Sequence, residues 1–263
     1  MEQKLSKKTR TESDLIGSRE VPESALYGVQ TLRGIENFRI SKFHLNEYPL
    51  FIQALAITKM GAAVANRELD LLTEEQTDAI LKACKEILEG KHHDQFPVDM
   101  IQGGAGTTTN MNANEVIANR ALELMGHARG EYHYCSPNDH VNRSQSTNDA
   151  YPTAIHIGLY YTHLKLVKHF ATLIEAFRKK GAEFAHIIKM GRTQLEDAVP
   201  MTLGQTFNGF ASILEHELKN LDFAAQDFLT VNMGATAIGT GITAEPEYAE
   251  KCIAALRKIT GLD

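Results

Sequence analysis

The chain lacks tryptophan and has only three cysteines in 263 residues. Cys84, Cys135 and Cys252 are far apart and odd in number, so they offer no metal-ligand spacing and fit a reducing cytosol. No run approaches the roughly 18 apolar residues that a membrane span needs. The basic start around Lys7 and Lys8 lacks the apolar core of a signal peptide. We therefore expect a cytoplasmic protein without a membrane segment.

The chain also has no excess of positive charge. The formal net charge is -6, and no basic stripe is present to neutralise phosphates, which argues against nucleic acid as a partner. The adjacent His92 and His93, followed by Asp94, have no third ligand at metal spacing. We predict a solvated loop there and no metal site.

The first half of the chain predicts short helices. Residues 9–30 indicate extended segments and turns, with one small hairpin around Gly17. Apolar residues at helical spacing predict a helix over about 48–68, with one face formed by Ile52, Leu55, Ala56, Ala62 and Ala63. A capping box at 73–76 begins a second helix that ends near residue 90, and a third is predicted over 112–125. Residues 91–111 are expected to lie between helices.

The second half predicts much longer helices. Apolar periodicity after Asp149 indicates a helix of about 30 residues, then a second long helix from Leu203 to Phe228 and a shorter one over about 246–260. Alternating steps of three and four are typical of a helix bundle, and its unpaired apolar faces need further chain or other subunits. We predict a mainly all-α protein. A small helical domain with a short hairpin (1–148) precedes the first long helices of a central helix bundle (149–263).

Three polar stretches precede helices at residues 103–112, 136–149 and 191–200. Hydroxyl and amide side chains cap helices, and beside the free amides of a helix N-terminus they also suit the binding of a carboxylate. Each stretch by itself is better explained as a turn and a cap. The glycines at 103–106 precede no lysine and follow no apolar strand, which excludes a phosphate loop and a dinucleotide fingerprint. Arg192 is either an anion clamp or half of a structural ion pair, and we expect the pair.

Together the three stretches resemble the aspartase/fumarase superfamily. The matching segments are Gly-Ala-Gly-Thr with Asn-Met-Asn-Ala-Asn-Glu-Val (104–116), Ser-Gln-Ser-Thr-Asn-Asp-Ala-Tyr-Pro-Thr-Ala (144–154) and Gly-Arg-Thr-Gln-Leu-Glu-Asp-Ala-Val-Pro-Met-Thr-Leu-Gly-Gln (191–205). The resemblance covers nearly the whole chain and implies an all-α homotetramer. Helices from four subunits would form a central bundle, and each active site would collect residues from three chains.

The resemblance also implies a small dicarboxylate substrate and assigns roles to particular residues. Thr107, Ser146 and Thr147 would hold one carboxylate, and Asn148 would lie near the amino group. Thr193 and Gln194 would approach the other carboxylate or the leaving group. The chemistry requires no redox or carbonyl cofactor, and activation by a divalent cation is not readable from the sequence.

Within the superfamily, the chain most resembles the members that deaminate aspartate. Fumarases usually carry His where Gln194 stands, and Gln cannot titrate to help activate water. The Gly-Ala-Thr-Ala-Ile-Gly-Thr-Gly stretch at 234–241 indicates the same branch. The implied reaction is the reversible carbon–nitrogen lyase conversion of L-aspartate to fumarate and ammonia. Fumarate hydration and a non-catalytic oligomerisation fragment remain as alternatives.

One part of the family pattern is missing. The superfamily takes its catalytic base from a serine in a mobile Gly-Ser-Ser loop with a nearby Lys and Asn, and nothing in residues 242–263 matches that loop. We expect the serine base to lie beyond Asp263. The 263-residue chain by itself is therefore expected to be inactive or nearly so.

Overall fold

The computed structural model describes residues 8–263 and is built mainly of helices. The helices are α1 (Val29–Asn37), α2 (Pro49–Glu68), α3 (Glu74–Leu88), α4 (Thr107–Leu124), α5 (Thr147–Glu183), α6 (Leu203–Ala225) and α7 (Tyr248–Thr260). Two antiparallel hairpins pair β1 (Thr9–Asp14) with β2 (Gly17–Pro22) and β3 (Ile188–Thr193) with β4 (Glu196–Thr202). The predicted mainly helical fold with a short N-terminal hairpin is confirmed.

The chain forms two compact units. The first runs up to Gly158 and includes Val231–Asp263, and the second is Leu159–Thr230. The predicted domain boundary between residues 148 and 149 stays a prediction. Across the described part of the chain, no helix is both long and apolar enough to cross a membrane.

The first unit contains a core built on α2. This helix packs against α3 and α7, and α3 packs against α4. Burial of the predicted apolar faces supplies the driving force for these contacts. A Cβ added to Gly61 would lie 2.6 Å from a methyl carbon of Leu256, so the glycine permits the close approach of α2 and α7. The large side chains that are almost fully buried here include Ile52, Leu55, Ile80, Ile117 and Leu122.

The second unit is an antiparallel pair of helices with a hairpin between them. The C-terminal part of α5 packs on α6 through a cluster of rings, in which the Phe177 and Phe207 centroids are 6.0 Å apart and the Phe184 and Phe207 centroids 5.5 Å. An ion pair of 2.8 Å joins Arg178 of α5 to Glu215 of α6. These contacts agree with the predicted bundle packing of the long helices.

Several predicted boundaries are wrong. Helix α4 begins at Thr107, not Asn112, because Gln102 Oε1 accepts the N–H of Thr109 at 2.8 Å and so supports an earlier first turn. Helix α5 has 37 residues instead of about 30. The stretch 191–200, expected as a loop, forms most of the β3–β4 hairpin. Helix α1 was not predicted.

Candidate active site

Two of the three polar stretches meet at a cleft in the first unit. The cleft has a volume of about 640 Å³, and its walls are residues 100–106 with Asn148, Tyr151, Pro152 and Ile155 at the start of α5. Gly106 has φ +87°, and a Cβ there would lie 2.4 Å from the Tyr151 ring. Glycine is therefore required where the backbone just before α4 lies against the Tyr151 ring of α5. The exposed Thr107 follows directly as the first residue of α4.

The hydroxyl groups of Ser146 and Thr147 are arranged to donate hydrogen bonds. Ser146 Oγ accepts the N–H of Asn148 at 3.2 Å, and Thr147 Oγ1 accepts from the Asn110 side chain at 3.2 Å. Each oxygen accepts one hydrogen bond, and the single O–H proton of each hydroxyl can turn towards a ligand. Both residues stand at the N-terminus of α5, where free amides carry partial positive charge. This arrangement suits a carboxylate.

Lys59 is the main residue of this region that the sequence reasoning missed. Its side chain is buried on α2, and its Nζ donates to Asn110 Oδ1 at 2.7 Å, Asn142 Oδ1 at 2.9 Å and Gln145 Oε1 at 2.8 Å. Burial lowers the pKa of Lys59 to about 7, and the negative charge of Asp149 opposes that decrease. The sequence did contain a signal, since position 59 falls within the predicted apolar face of this helix.

Lys59 also determines how Asn110 is oriented. Because Asn110 Oδ1 accepts from Lys59, the amide nitrogen of Asn110 faces the other way and donates to Thr147 Oγ1. That donation occupies the acceptor side of Thr147, so the Thr147 hydroxyl points its proton elsewhere. A buried cation on α2 thus fixes the donor character of a candidate substrate-binding residue on α5.

Asp149 is the last residue of the polar stretch 136–149. It is fully buried, and its Oδ1 accepts the N–H of Ser146 at 2.9 Å. This bond and the bond from the N–H of Asn148 to the Ser146 hydroxyl together cap the start of α5. Burial raises the pKa of the Asp149 carboxyl, against the effect of the backbone N–H groups that surround it.

Thr193 and Gln194 lie in the second unit. Thr193 is the last residue of β3, and Gln194 occupies the hairpin turn with φ +50°. Both side chains are exposed. Arg192 pairs with Asp197 across the hairpin at 3.1 Å, which confirms the expected structural ion pair.

The histidines at 92 and 93 do not form a solvated loop as expected. His92 Nε2 lies 3.0 Å from a Glu86 oxygen, and His93 Nε2 lies 2.8 Å from the carbonyl of Ile87. Both rings therefore fasten the segment after α3 to that helix. Within residues 8–263, no three side chains of His, Cys, Asp or Glu are gathered closely enough to hold a metal ion.

Comparison with known proteins assigns the chain to a family. A family model described as "Lyase" matches residues 17–263. Aspartate ammonia-lyase of Pseudomonas fluorescens is 56% identical over 253 residues, which cover 96% of this chain and 53% of that protein. The corresponding protein of Escherichia coli K12 is 53% identical over 258 residues, covering 98% and 54%.

A solved structure also matches this chain. The crystal structure of a fumarate lyase:delta crystallin from Brucella melitensis superimposes with a TM-score of 0.92 at 50% identity, covering 97% of this chain and 55% of that one. The chain thus spans about half the length of the relatives that it matches. Since the family model covers almost the whole sequence, the chain belongs to the lyase family of the fumarases and aspartases.

Proposed function

We propose that the natural polypeptide carrying this sequence is an aspartate ammonia-lyase. It is a carbon–nitrogen lyase that converts L-aspartate reversibly to fumarate and ammonia. The observation that carries the proposal is the pair of hydroxyls, Ser146 and Thr147, each of which accepts one hydrogen bond and keeps its proton to donate at a helix N-terminus. Aspartate ammonia-lyases at 53–56% identity over this region support the choice of reaction.

Neutral donors suit this chemistry. Removal of the C3 proton of aspartate builds negative charge into the adjacent carboxylate and gives an enediolate-like dianion. Preorganised donors aimed at that developing charge lower the barrier, and we assign this role to Thr107, Ser146 and Thr147. Asn148 lies near the amino group, while Thr193 and Gln194 approach the other carboxylate or the departing ammonia.

Two further features complete the proposal. The proton is taken by a serine base, as the family resemblance implies. The active polypeptide is a cytoplasmic homo-oligomer, a tetramer, in which each site collects side chains from several copies. The exposed apolar side chains of α5 and α6, among them Leu173 and Phe223, support association.

The test is an assay of the natural polypeptide with L-aspartate, in which fumarate is followed by its ultraviolet absorbance. We expect fumarate and ammonia in equal amounts. Ser146→Ala should lower kcat/KM about 100-fold, because a donor to the developing charge is lost. Ser24→Ala, an exposed serine of the first unit, is the matched control and should leave kcat/KM unchanged.

Two results contradict this function. Conversion of fumarate to malate without release of ammonia from aspartate would indicate fumarate hydratase. Absence of both reactions, with an intact oligomer in solution, would indicate a non-catalytic oligomerisation module.

A further inference from the structure

Asp149 uses more of its carboxylate than a helix cap requires. The cap at the start of α5 employs only Oδ1, which accepts the N–H of Ser146. The second oxygen, Oδ2, accepts the N–H of Gly234 at 3.2 Å and the N–H of Thr236 at 2.8 Å. Both donors lie more than 80 residues away in the sequence. A buried carboxylate therefore ties the start of α5 to a distant segment, Asn232–Ala237.

The same segment holds Asn148 at two points. Asn232 Nδ2 donates to the backbone carbonyl of Asn148 at 2.9 Å. The side chain of Asn148 in turn donates through Nδ2 to the carbonyl of Ala237 at 2.8 Å. With the two bonds to Asp149, four hydrogen bonds join Asn232–Ala237 to residues 148–149. We call this set of bonds the latch.

The latch determines which end of the Asn148 amide is available to a ligand. Asn148 lines the cleft, and its NH₂ group is directed to Ala237. The carboxamide oxygen, which is only an acceptor, is then left for the ligand. An ammonium group has donors and no acceptor, so it complements this oxygen.

We propose that Asp149 and the segment Asn232–Ala237 are positioning elements that present Asn148 as a hydrogen-bond acceptor for the ammonium group of the substrate. The inference rests on the proposed function and deepens it. It gives a role to the small residues around Gly234, which permit the backbone to turn its N–H groups onto one carboxylate oxygen. A cap alone gives no reason for Oδ2 to be enclosed in this way.

Asp149→Asn separates the latch from the cap. The amide keeps an oxygen that can accept the N–H of Ser146, while its new NH₂ group faces the N–H groups of Gly234 and Thr236. Donors then face donors, and the latch opens. In the direction that adds ammonia to fumarate, we expect the KM for ammonium to rise at least tenfold and the KM for fumarate to change less than threefold.

Two variants accompany this measurement. Glu115→Gln is the matched control, since Glu115 is also a buried carboxylate that accepts three backbone N–H groups in the first unit, at the start of α1. It should destabilise the protein, but it should not raise the KM for ammonium relative to the KM for fumarate. Asn232→Ala removes one bond of the latch at an exposed residue. It should raise the KM for ammonium severalfold, and it serves if Asp149→Asn does not fold.

The latch can also be observed without activity. Hydrogen exchange of the Gly234 and Thr236 amides should accelerate at least tenfold in Asp149→Asn, with Ser146 changed much less. Equal changes in both KM values, or unchanged exchange at Gly234 and Thr236, would overturn the inference. A wild-type polypeptide that adds no ammonia to fumarate would instead refute the proposed function and the ammonium role. The exchange measurement would still decide whether the latch exists.

Discussion

At the residue scale, the buried amine of Lys59 makes the free energy of unfolding depend on pH. Three amide oxygens surround its Nζ, but no carboxylate contacts it directly. Amide dipoles compensate for lost hydration only in part, which is why burial lowers the pKa of Lys59 to about 7. Because Lys59 also orients Asn110, the donor character of Thr147 depends on a group whose charge is close to balance near neutral pH.

The lowered pKa of Lys59 predicts a particular pH dependence of stability. Between pH 7 and 10.5 the unfolded chain binds a proton at this amine that the folded chain does not, so folding gains stability as the pH rises. Relative to Lys59→Met, the wild type should therefore gain up to about 1.4 kcal/mol per pH unit across this window. Urea unfolding at pH 7, 8 and 9 measures the difference.

The control for this prediction is Lys82→Met, an exposed lysine on α3. Its effect on the free energy of unfolding should be small and independent of pH over the same range. A constant difference between wild type and Lys59→Met from pH 7 to 9 would show that Lys59 keeps an ordinary pKa in the folded protein.

At the element scale, one ion pair fastens α3 to α4. Both Arg120 guanidinium nitrogens that face Glu86 bond to it, one of them at 2.8 Å. The hydrogen bonds from Arg120 lower the pKa of Glu86 to about 2. His92 bonds to the same carboxylate and so extends the connection to the segment after α3.

Glu86→Gln should cost about 1 kcal/mol of stability at pH 7, a value that allows for solvent screening of a partly exposed pair. The Glu86 pKa is lower in the folded than in the unfolded chain, so its contribution is complete above pH 4.5 and disappears as the pH falls towards 2. Thermal unfolding at pH 7, 4 and 3 tests this. Asp78→Asn, at an exposed position on α3, is the control. Its difference in stability from the wild type should not shrink in the same way as the pH falls.

The elements that the sequence predicted share a strong local pattern. Helices α2, α3 and α6 have an apolar face of regular period, and α3 also begins with the capping box predicted at 73–76. Thr107, Ser146, Thr147 and Asn148 are predicted as site residues through the resemblance of whole stretches. Their hydroxyl and amide orientations were not predictable, because those depend on partners such as Lys59 and Ala237 far along the chain.

The elements that the sequence missed depend on distant partners or on unusual turns. The N-terminus of α1 is satisfied by the carboxylate of Glu115, more than 80 residues away, so no local cap marks it. The β3–β4 hairpin turns at Gln194 and Leu195, both at positive φ. Two-residue hairpin turns of this kind usually carry Asn or Gly, and neither residue is present here to predict a turn.

At the scale of the whole molecule, the second unit leaves large apolar side chains in contact with water. On α6, Ile213 is 61% exposed and Phe223 is 83% exposed, and on α5 Leu164 is 50% exposed. Solvating such surfaces is unfavourable, and α6 has nothing else to cover it within the described residues of its own unit. The bundle pattern predicts that further chain or other copies of the chain cover these faces.

This exposure predicts concentration-dependent association of the 263-residue chain through its second unit. Sedimentation velocity at about 10 µM protein should show species heavier than the 29.2 kDa monomer. Combining Ile213→Glu with Phe223→Glu should shift the distribution to the monomer. The free energy needed to bury two carboxylates is larger than the free energy gained from the apolar contact. Asn220→Glu adds a charge at an exposed polar position of the same helix and should leave association intact. A wild-type chain that stays monomeric would show that these apolar faces are not an interface between copies.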